Sequence, residues 1–309
     1  MWFKNLTLFR FSEAFTINES QLIEQLETHR FRACGSLELS TYGWSAPLGR
    51  QSEQLLHAAG GFWMLCAQKE EKIIPASVIN ELVADKIEEI ESEQVRKVRK
   101  KERDSIKEEV IHDCLPKAFS HRRRTFAYID PKGGWIVVDA ATAKKAEEVV
   151  SLLRKSLGSL PVELPAVSEA PEVIMTQWLM DESSVPSDVN VEGECELYSP
   201  EDDGGIVRCK KHDLYSPEIR SHLDAGKRVR KLAISWNDRL TCVLDDSLNI
   251  KSLRFLDLVQ EQAAEIEADN AAEQFDADFS IMTLEIAAFL PRLLALFGGE
   301  ADRLDKQAA

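Results

Sequence analysis

Long hydrophobic runs are missing from the sequence: no window of about 18 residues is both apolar and free of charge, as expected of a membrane-spanning helix. The start, MWFKNLTLFRFSEAF, carries charges at Lys4, Arg10 and Glu13 and lacks the small-residue cleavage pattern of a signal peptide. We therefore expect a cytoplasmic protein that neither crosses a membrane nor is secreted.

Paired cysteines are missing too. The six cysteines are widely spaced, and none forms a CxxC pair or a cluster with histidine at zinc-finger spacing. This pattern indicates reduced, mostly buried thiols rather than a disulfide framework. We expect no metal and no cofactor.

The motifs of common catalytic scaffolds are also missing. The sequence has no P-loop, no GxGxxG, no HExxH and no GxSxG, and its six histidines form no pair at i, i+4. The nearest approach to a catalytic set is Asp276, Asp278 and Glu285, which a two-metal nuclease could use. Acids spaced in this way also cap helices or face solvent, so we predict no catalytic residue. A magnesium-dependent nuclease using these three carboxylates stays open as an alternative.

Positive charge is missing from two long segments. Ser156 to Val207 contains twelve Asp or Glu and no Lys or Arg, and Phe255 to Pro291 contains nine more acids and again no base. Removing these 21 charges from the formal net charge of -15 leaves the rest of the chain at +6. We therefore expect the carboxylates and the cations to occupy different surfaces, as in a protein that holds a polyanion in one place and repels it elsewhere.

The basic residues that remain fall into clusters. The stretch VRKVRKKERDSIK, residues 95 to 107, carries seven Lys or Arg against two acids, and shorter clusters lie at 121–124, 208–211 and 227–231. Few aromatic residues are interleaved, which favours contact with phosphates over base stacking, and no helix-turn-helix, zinc-finger or RRM signature is present. The predicted DNA contacts are Arg96, Lys97, Arg99, Lys100, Lys101, Arg103, Lys117, Arg122, Arg123, Arg124, Arg208, Lys210, Lys211, Lys227, Arg228, Arg230 and Lys231.

Helical periodicity surrounds the first basic cluster. Ser77 can cap a helix whose apolar residues recur from Val78 to Ile90. Ser105 and Glu108 match a capping box, so we expect the first helix to end near Asp104 and a second to begin there. The sequence predicts a helical finger inserted at 80–118, with positive charge held away from the core.

The remaining pattern predicts an α+β fold made of two related halves. FWMLCAQKEEKIIPASVINEL and GIVRCKKHDLYSPEIRSHL share the order strand, turn, proline, helix, and RRTFAYIDPKGGWIVVD and RKLAISWNDRLTCVLDD both indicate hairpins. We assign residues 1–79 and 119–160 to the first half. Residues 161–309 form the second half, with an acidic, proline-containing excursion at 160–200 and helices at the C-terminal end.

Short stretches along the whole chain resemble the bacterial recombination-associated RdgC family. They are MWFKNL, CGSLELSTYGWSAPLG, KEEKIIPASVINE, LPKAFS, LLRKSLGSLPV, DGGIVRCKKHDL, AGKRVRKLAISW and QFDADFSIMTLE, in this order. The resemblance implies a nucleoid-associated homodimer in which two horseshoe-shaped subunits close into a ring around DNA. It implies binding to double- and single-stranded DNA with little sequence preference, antagonism of the RecA recombinase, and no enzymatic activity.

The resemblance also implies roles for single residues. Arg96 would lie on the finger, Phe119 would make an apolar contact at a dimer junction, and Lys211 would lie near a junction or the inner wall. His212 stands where a neutral amide is expected in the family, and it belongs to the predicted dimer interface with Phe119 and Lys211. A third alternative is a protein-protein adaptor whose basic finger docks an acidic partner.

Overall fold

The computed structural model describes residues 1–201, 204–264, 268 and 270–301. The strands are β1 (Leu6–Phe11), β2 (Ser40–Ser45), β3 (Leu56–Ala59), β4 (Phe62–Ile73), β5 (Phe119–Asp130), β6 (Trp135–Asp139), β7 (Val162–Glu163), β8 (Val189–Tyr198), β9 (Ile206–Lys210), β10 (Arg228–Trp236), β11 (Leu240–Asp245) and β12 (Ile250–Phe255). The helices are α1 (Glu19–Glu27), α2 (Ala76–Gln94), α3 (Lys100–Cys114), α4 (Ala143–Leu157), α5 (Pro171–Met180), α6 (Pro217–Asp224), α7 (Asp257–Ala264) and α8 (Ala271–Leu296), with short 3-10 helices at Gly49–Gln51, Leu115–Lys117 and Glu182–Ser184. This mixture of helix and strand agrees with the predicted α+β class.

The twelve strands form one antiparallel sheet in the order β2-β4-β5-β6-β1-β12-β11-β10-β8-β9, with β3 beside β4 and β7 beside β1. Its two halves meet where β1 pairs with β12, through Leu6 and Ile250. The hairpins β5-β6 and β10-β11 occupy corresponding places in the two halves.

The sequence predicts that β4, the strand before α2, is equivalent to β9, the strand before α6, but the structure does not place them at equivalent positions. β4 pairs directly with β5, whereas β9 pairs with β8, and it is β8 that pairs with β10. By its place in the sheet, β8 is the counterpart of β4. A shared order of strand, turn and helix fixes local conformation, but not which distant strand will be the neighbour.

The acidic segment from Leu160 to Pro200 is not the linker with an exposed excursion that the sequence predicts. It contains α5, whose Met175 and Trp178 are buried, and β8, which is paired on both sides. On β8 the side chains alternate, so that Cys195 and Leu197 enter the core and the glutamates at 192, 194 and 196 face away. Asp202, Asp203, Glu265, Glu267 and Asp269 of the acidic segments lie outside the described residues.

Two layers of helices cover the sheet unequally. Helices α5, α6 and α8 pack against one face of both halves, where Phe279, Ile286 and Phe289 of α8 are fully buried. Helices α1 and α4 cover the other face of the first half only, with Leu22 and Leu153 in that core. Among the described residues the corresponding face of the second half has no apolar cluster. It carries an open groove of about 580 Å³ with Glu192, Lys210 and Arg254 in its wall.

Helix α8 bears on the expectation that no segment spans a membrane. It is long and apolar enough to do so by length and composition, although 56% of the qualifying window is buried inside the protein. Its apolar side chains pack against both halves of the sheet. This is the behaviour of a core helix, which passes the same test.

The finger is an antiparallel helical hairpin whose turn differs from the predicted one. Helix α2 ends at Gln94, Val95 adopts a left-handed conformation with φ 51°, and α3 begins at Lys100. Ser105 lies inside α3, where its hydroxyl donates to the Lys101 carbonyl, 3.3 Å away. The capping-box pattern is therefore not used as a cap, and Ser77 likewise lies inside α2, with Pro75 in the N-cap position.

Glu91 closes this turn, which explains why the helix breaks ten residues earlier than expected. Its carboxylate accepts hydrogen bonds from the backbone amide of Val98 and from Lys97 Nζ, each at 2.9 Å. Below the turn, Val83, Ile106 and Val110 form a small separate core between the two helices. Because the helical hairpin turns at residues 95–99, the basic residues lie in this turn and in the first turns of α3.

Candidate nucleic-acid interface

The finger tip carries cations that are exposed and largely unpaired. Arg96 is bound by Glu102 at 2.6 Å and Lys97 by Glu91 at 2.9 Å. The other four predicted contacts at the tip are Arg99, Lys100, Lys101 and Arg103, and none of them forms an ion pair within 4 Å to any residue that the structure describes. Exposed and uncompensated cations of this kind are suited to bind phosphates.

The second predicted cluster lies on a free strand edge. β6 pairs only with Ala127–Asp130 of β5, so the six residues from Phe119 to Arg124 are all exposed. Successive side chains of a strand point to opposite faces, and the cluster is therefore divided, with Arg123 on one face and its two neighbours on the other.

The three arginines of this cluster have different partners. Arg122 lies 3.3 Å from the buried carboxylate of Glu70, and Arg124 donates to the backbone carbonyls of Ala46 and Pro47. Arg123 has no ion pair or side-chain hydrogen bond to the described residues. Arg122 is thus paired with an acid, Arg124 keeps its charge but is held by neutral acceptors, and Arg123 has both its charge and its donors available to a ligand.

Glu70 is a structural residue that sequence analysis does not find. Its carboxylate accepts from the Ser120 hydroxyl and from the Cys34 amide, at 2.5 and 3.1 Å. These hydrogen bonds, with the nearby Arg122 guanidinium, hold the pKa of Glu70 below its usual value against the effect of burial. A single Glu within a charged run gives no sequence signal for burial, because its partners come from two other segments.

The basic residues of the second half are mostly paired with acids on the same surface. Glu196 binds both Arg208 and Lys231, at 2.7 and 2.9 Å. Burial raises the pKa of Glu196, but the hydrogen bonds from these two cations outweigh it and the pKa lies below the ordinary value. The further pairs are Lys210 with Glu194 at 3.1 Å, Arg228 with Glu172 at 2.8 Å and Arg230 with Asp246 at 3.4 Å, while Lys227 donates to the Gly205 carbonyl at 3.2 Å.

The expected separation of positive and negative charge is therefore wrong for this half. Glutamates of β8 lie opposite the cations of β9 in register, Glu194 facing Lys210 and Glu196 facing Arg208. Alternation along both strands brings acids and bases to the same face, where they neutralise each other. Lys211 is the one predicted contact of these two clusters for which no partner is found in the described part of the chain.

Lys211 and His212 form a strained turn after β9. Lys211 has a φ of 53°, and the His212 amide donates to the Gly193 carbonyl at 3.1 Å. A Cβ at position 193 would lie 3.0 Å from the His212 carbonyl oxygen, so a larger residue would require this turn to shift by a few tenths of an ångström. His212 Nε2 lies 3.5 Å from Glu218.

Phe119 is the most exposed large aromatic side chain in the described residues, at 85%. It lies at the rim of an apolar groove of about 550 Å³ between the base of the finger and the ends of β4 and β5. Ile73, Val78 and Leu82 line the groove and are themselves partly exposed. Phe119 could be predicted from the sequence but the groove could not, because its wall combines a strand end with one face of α2.

The carboxylates of the nuclease alternative are not brought into one site. All three lie on α8, where Asp276 is 3.2 Å from His57 Nε2, Asp278 binds the N-terminal ammonium, and Glu285 accepts from Arg239 at 2.7 Å. No group of three or more metal-ligating side chains occurs among the described residues. Asp278 and Glu285 form ion pairs that join α8 to other segments, and Asp276 lies against His57, whose pKa is lowered by burial.

A family model described as "Putative exonuclease, RdgC" matches residues 1–300. The chain belongs to the RdgC family. It is 46% identical to the recombination-associated protein RdgC of Aeromonas hydrophila over 300 residues, covering 97% of this chain and 99% of that protein. It is 45% identical over 304 residues to the protein of the same name from Serratia proteamaculans, with 98% and 100% covered, and 46% identical over 301 residues to that of Pseudomonas fluorescens, with 97% and 98% covered. The resemblance predicted from the sequence is thus confirmed, and the chain is a recombination-associated protein of this bacterial family.

The descriptions of these RdgC proteins differ in one respect. The family model names an exonuclease, whereas the three relatives are named for an association with recombination. In this RdgC chain, the predicted DNA contacts that form no ion pair with a described residue lie at the finger tip, at Lys117, on the β5 edge, at Lys227 and at the turn after β9. None of these places contains a carboxylate cluster able to hold a metal among the residues described.

Proposed function

We propose that the chain binds DNA through its phosphates, without strong sequence preference and on double and single strands alike. The observation that carries this proposal is the group of four exposed cations at the finger tip, Arg99, Lys100, Lys101 and Arg103, which have no acidic partner within 4 Å in the described chain. Binding phosphates would release the counterions that DNA condenses, so the affinity falls steeply with salt. The relatives' association with recombination supports DNA as the polyanion.

The protein acts as a homodimer in this proposal, and Phe119 with the neighbouring groove supports it. An apolar ring that is 85% exposed is costly to leave in water, and a groove with apolar walls lies beside it. A second copy could place its Phe119 in this groove while the Phe119 of the first copy enters the groove of the second, as a two-fold interface requires.

Closure into a ring requires a second contact, for which Lys211 and His212 are the candidates. β9 is the outermost strand of the second half, whereas Phe119 begins β5 in the first half. Two contacts in different halves of each subunit would let two copies meet twice and enclose the DNA. Such horseshoe-shaped subunits would be cytoplasmic and nucleoid-associated, and they would limit the access of RecA to the DNA they occupy.

An electrophoretic assay tests the binding function against the nuclease alternative. Purified protein is incubated with linear and supercoiled plasmid, with and without magnesium. The proposal expects retardation of both forms, equal with and without the metal, and no shortened product. Magnesium-dependent cleavage that is lost on Asp276→Asn would establish the nuclease instead. Absence of retardation at physiological salt would favour the adaptor with an acidic protein partner.

A further inference from the structure

A further group of cations lies outside the finger, on the face of the sheet that α4 covers. These cations line a cavity of about 240 Å³ between the N-terminal turn of α4 and the exposed extension of β4 and β5. A water molecule occupies about 30 Å³ in the liquid, so the cavity has room for a phosphate group and part of what it is attached to. The residues of its wall indicate which kind of ligand it would hold.

Three of the four cations in this wall form no ion pair with a described residue. Arg123, Lys144 and Lys145 line the cavity, and none has an ion pair with a residue that the structure describes. Two acids also line it and share Lys69, which lies 3.0 Å from Glu71 and 3.7 Å from Glu148, so the wall carries four cations against two acids. The cavity therefore has a net positive charge.

The start of α4 contributes donors at the same place. Thr142 is the N-cap, yet its side chain makes no capping hydrogen bond. The backbone amides of Ala143 and Lys144 have no acceptor within the described residues. Unpaired amides together with the positive end of the helix dipole favour an anion at this position.

Thr125 is the independent sign of a ligand. It is 5% exposed and lines the cavity, but its hydroxyl forms no hydrogen bond to any described part of the chain. Its backbone is paired with Ala67 in the sheet, so the residue is fixed in place. The hydroxyl is not one of the fully buried unpartnered atoms of the described residues, so it opens onto the cavity, where a bound acceptor could take the hydrogen bond that water otherwise makes.

From this juxtaposition of Thr125, Arg123 and the open N-terminus of α4, we propose that the cavity binds a phosphate group. A phosphate supplies the charge that the cations lack and several acceptor oxygens for the hydroxyls and amides. It can belong to the DNA backbone or to a free phosphate or mononucleotide. The proposal goes beyond DNA binding at the finger, since the free-ligand form needs no DNA.

Titration of the full-length protein with inorganic phosphate, at constant ionic strength, tests the site by calorimetry. Saturable binding of one phosphate per chain is expected. Thr125→Val removes the hydroxyl with little change of shape and should weaken binding about 10-fold, whereas Thr125→Ser should bind as the wild type does. Arg123→Ala should also weaken it, and this exposed position does not endanger folding.

Matched variants on α4 separate the cavity from general charge effects. Lys145→Ala is expected to weaken phosphate binding, while Lys155→Ala, in the last turn of the same helix, leaves it unchanged. Glu148→Gln should strengthen binding and Glu147→Gln, which does not line the cavity, should not. Binding to phosphate that is equal in all these variants would overturn the proposal.

A parallel titration with a short DNA duplex distinguishes the two sources of phosphate. If Thr125→Val and Arg123→Ala weaken duplex binding several-fold, the pocket holds a backbone phosphate; if only phosphate binding is lost, the ligand is free phosphate or a mononucleotide. Failure of inorganic phosphate to bind, combined with wild-type duplex affinity in Thr125→Val, contradicts the site. Thr125-dependent phosphate binding without any duplex binding would instead retain the site and reject the proposed DNA function.

Discussion

At the scale of single residues, the structure separates cations that have partners from cations that have none. Lys210 and Lys211 are neighbours in the sequence, but Glu194 binds the first at 3.1 Å while the second has no partner in the described chain. An ion pair must be broken, or shared, before its cation can bind a phosphate, so only the unpaired lysine contributes its full charge. A count of basic residues overstates the binding surface for this reason.

Removing the positive charge of each neighbour in turn tests that distinction. Lys211→Glu should weaken binding to every duplex sequence alike, by several-fold, whereas Lys210→Ala should change it little, since Glu194 already neutralises this lysine. Fluorescence anisotropy with two duplexes of unrelated sequence measures both effects. A loss confined to one sequence, or a larger loss for Lys210→Ala, would contradict this account of the turn after β9.

Asp188 provides a pH-dependent test of the core. It accepts from Arg292 of α8 at 2.7 Å and from the Trp236 indole at 3.1 Å, and the Arg292 guanidinium above all lowers its pKa to about 2 from 3.8. Since the folded-state pKa is lowered, the stabilisation is present above pH 3.8 and is lost as the pH falls toward about 2.

We therefore expect Asp188→Asn to reduce the free energy of unfolding by about 1 to 2 kcal/mol at neutral pH. The difference from the wild type should shrink as the pH falls from about 4 toward 2. Urea unfolding at a series of pH values measures it. A difference that stays constant over this range would show that the carboxylate charge is not the source of the stabilisation.

At the scale of elements, the finger turn contains a conformation that its residue does not favour. Val95 is β-branched, 90% exposed and left-handed, with φ 51°. Glycine adopts this region without a Cβ clash, although it loses more entropy on folding. Val95→Gly should therefore stabilise the finger by roughly 0.5 to 1 kcal/mol.

Hydrogen exchange of the α2 and α3 amides is the suitable measurement for Val95→Gly, because the finger has its own small core and can open locally. Slower exchange in both helices is expected, with unchanged exchange in β10. Val83→Gly, which removes a buried side chain from that core, is the opposite control. Faster exchange in Val95→Gly would show that the entropy lost by glycine on folding outweighs the strain it relieves.

The groove beside Phe119 leads to a prediction about association. Phe119→Ala should weaken the proposed dimer at least 10-fold while leaving the monomer folded, because the ring is 85% exposed and contributes little to the core. Leu164→Ala, at another exposed apolar side chain, is the matched control. Sedimentation at several low concentrations measures both, and an unchanged dimer in Phe119→Ala would remove this surface from the proposed interface.

At the scale of the whole molecule, the sequence could predict what local chemistry determines. The turn DPKGG joins β5 to β6, and a short turn joins β10 to β11; both hairpins are present in the structure. Each turn is formed by a few consecutive residues and can therefore be recognised from the sequence. The helix over 143–157 follows from its apolar periodicity and its stop at Gly158. Membership of the RdgC family follows from short stretches spread along the chain.

What could not be predicted depends on contacts between distant residues. The many glutamates of β8 suggest an exposed segment, although they occupy only one face of the strand. That β8 pairs with β9 and β10 depends on the register between distant segments, which the sequence does not show. The position of the finger turn could not be predicted because Glu91, seven residues from the amide it binds, outweighs the capping pattern at Ser105. The groove beside Phe119 and the cavity at α4 each combine side chains from several elements.

The central claim is that the unpaired cations of the finger tip bind DNA phosphates, and the salt dependence of duplex affinity tests it most directly. The slope of log K against log salt should be steep for the wild type and should become shallower by about 0.9 for each phosphate that is no longer bound. We predict this change for Lys100→Ala with Lys101→Ala, and none for Lys86→Ala, whose lysine on the same finger is bound by Glu109 and Asp113. Equal slopes in the wild type and the double variant would contradict the account.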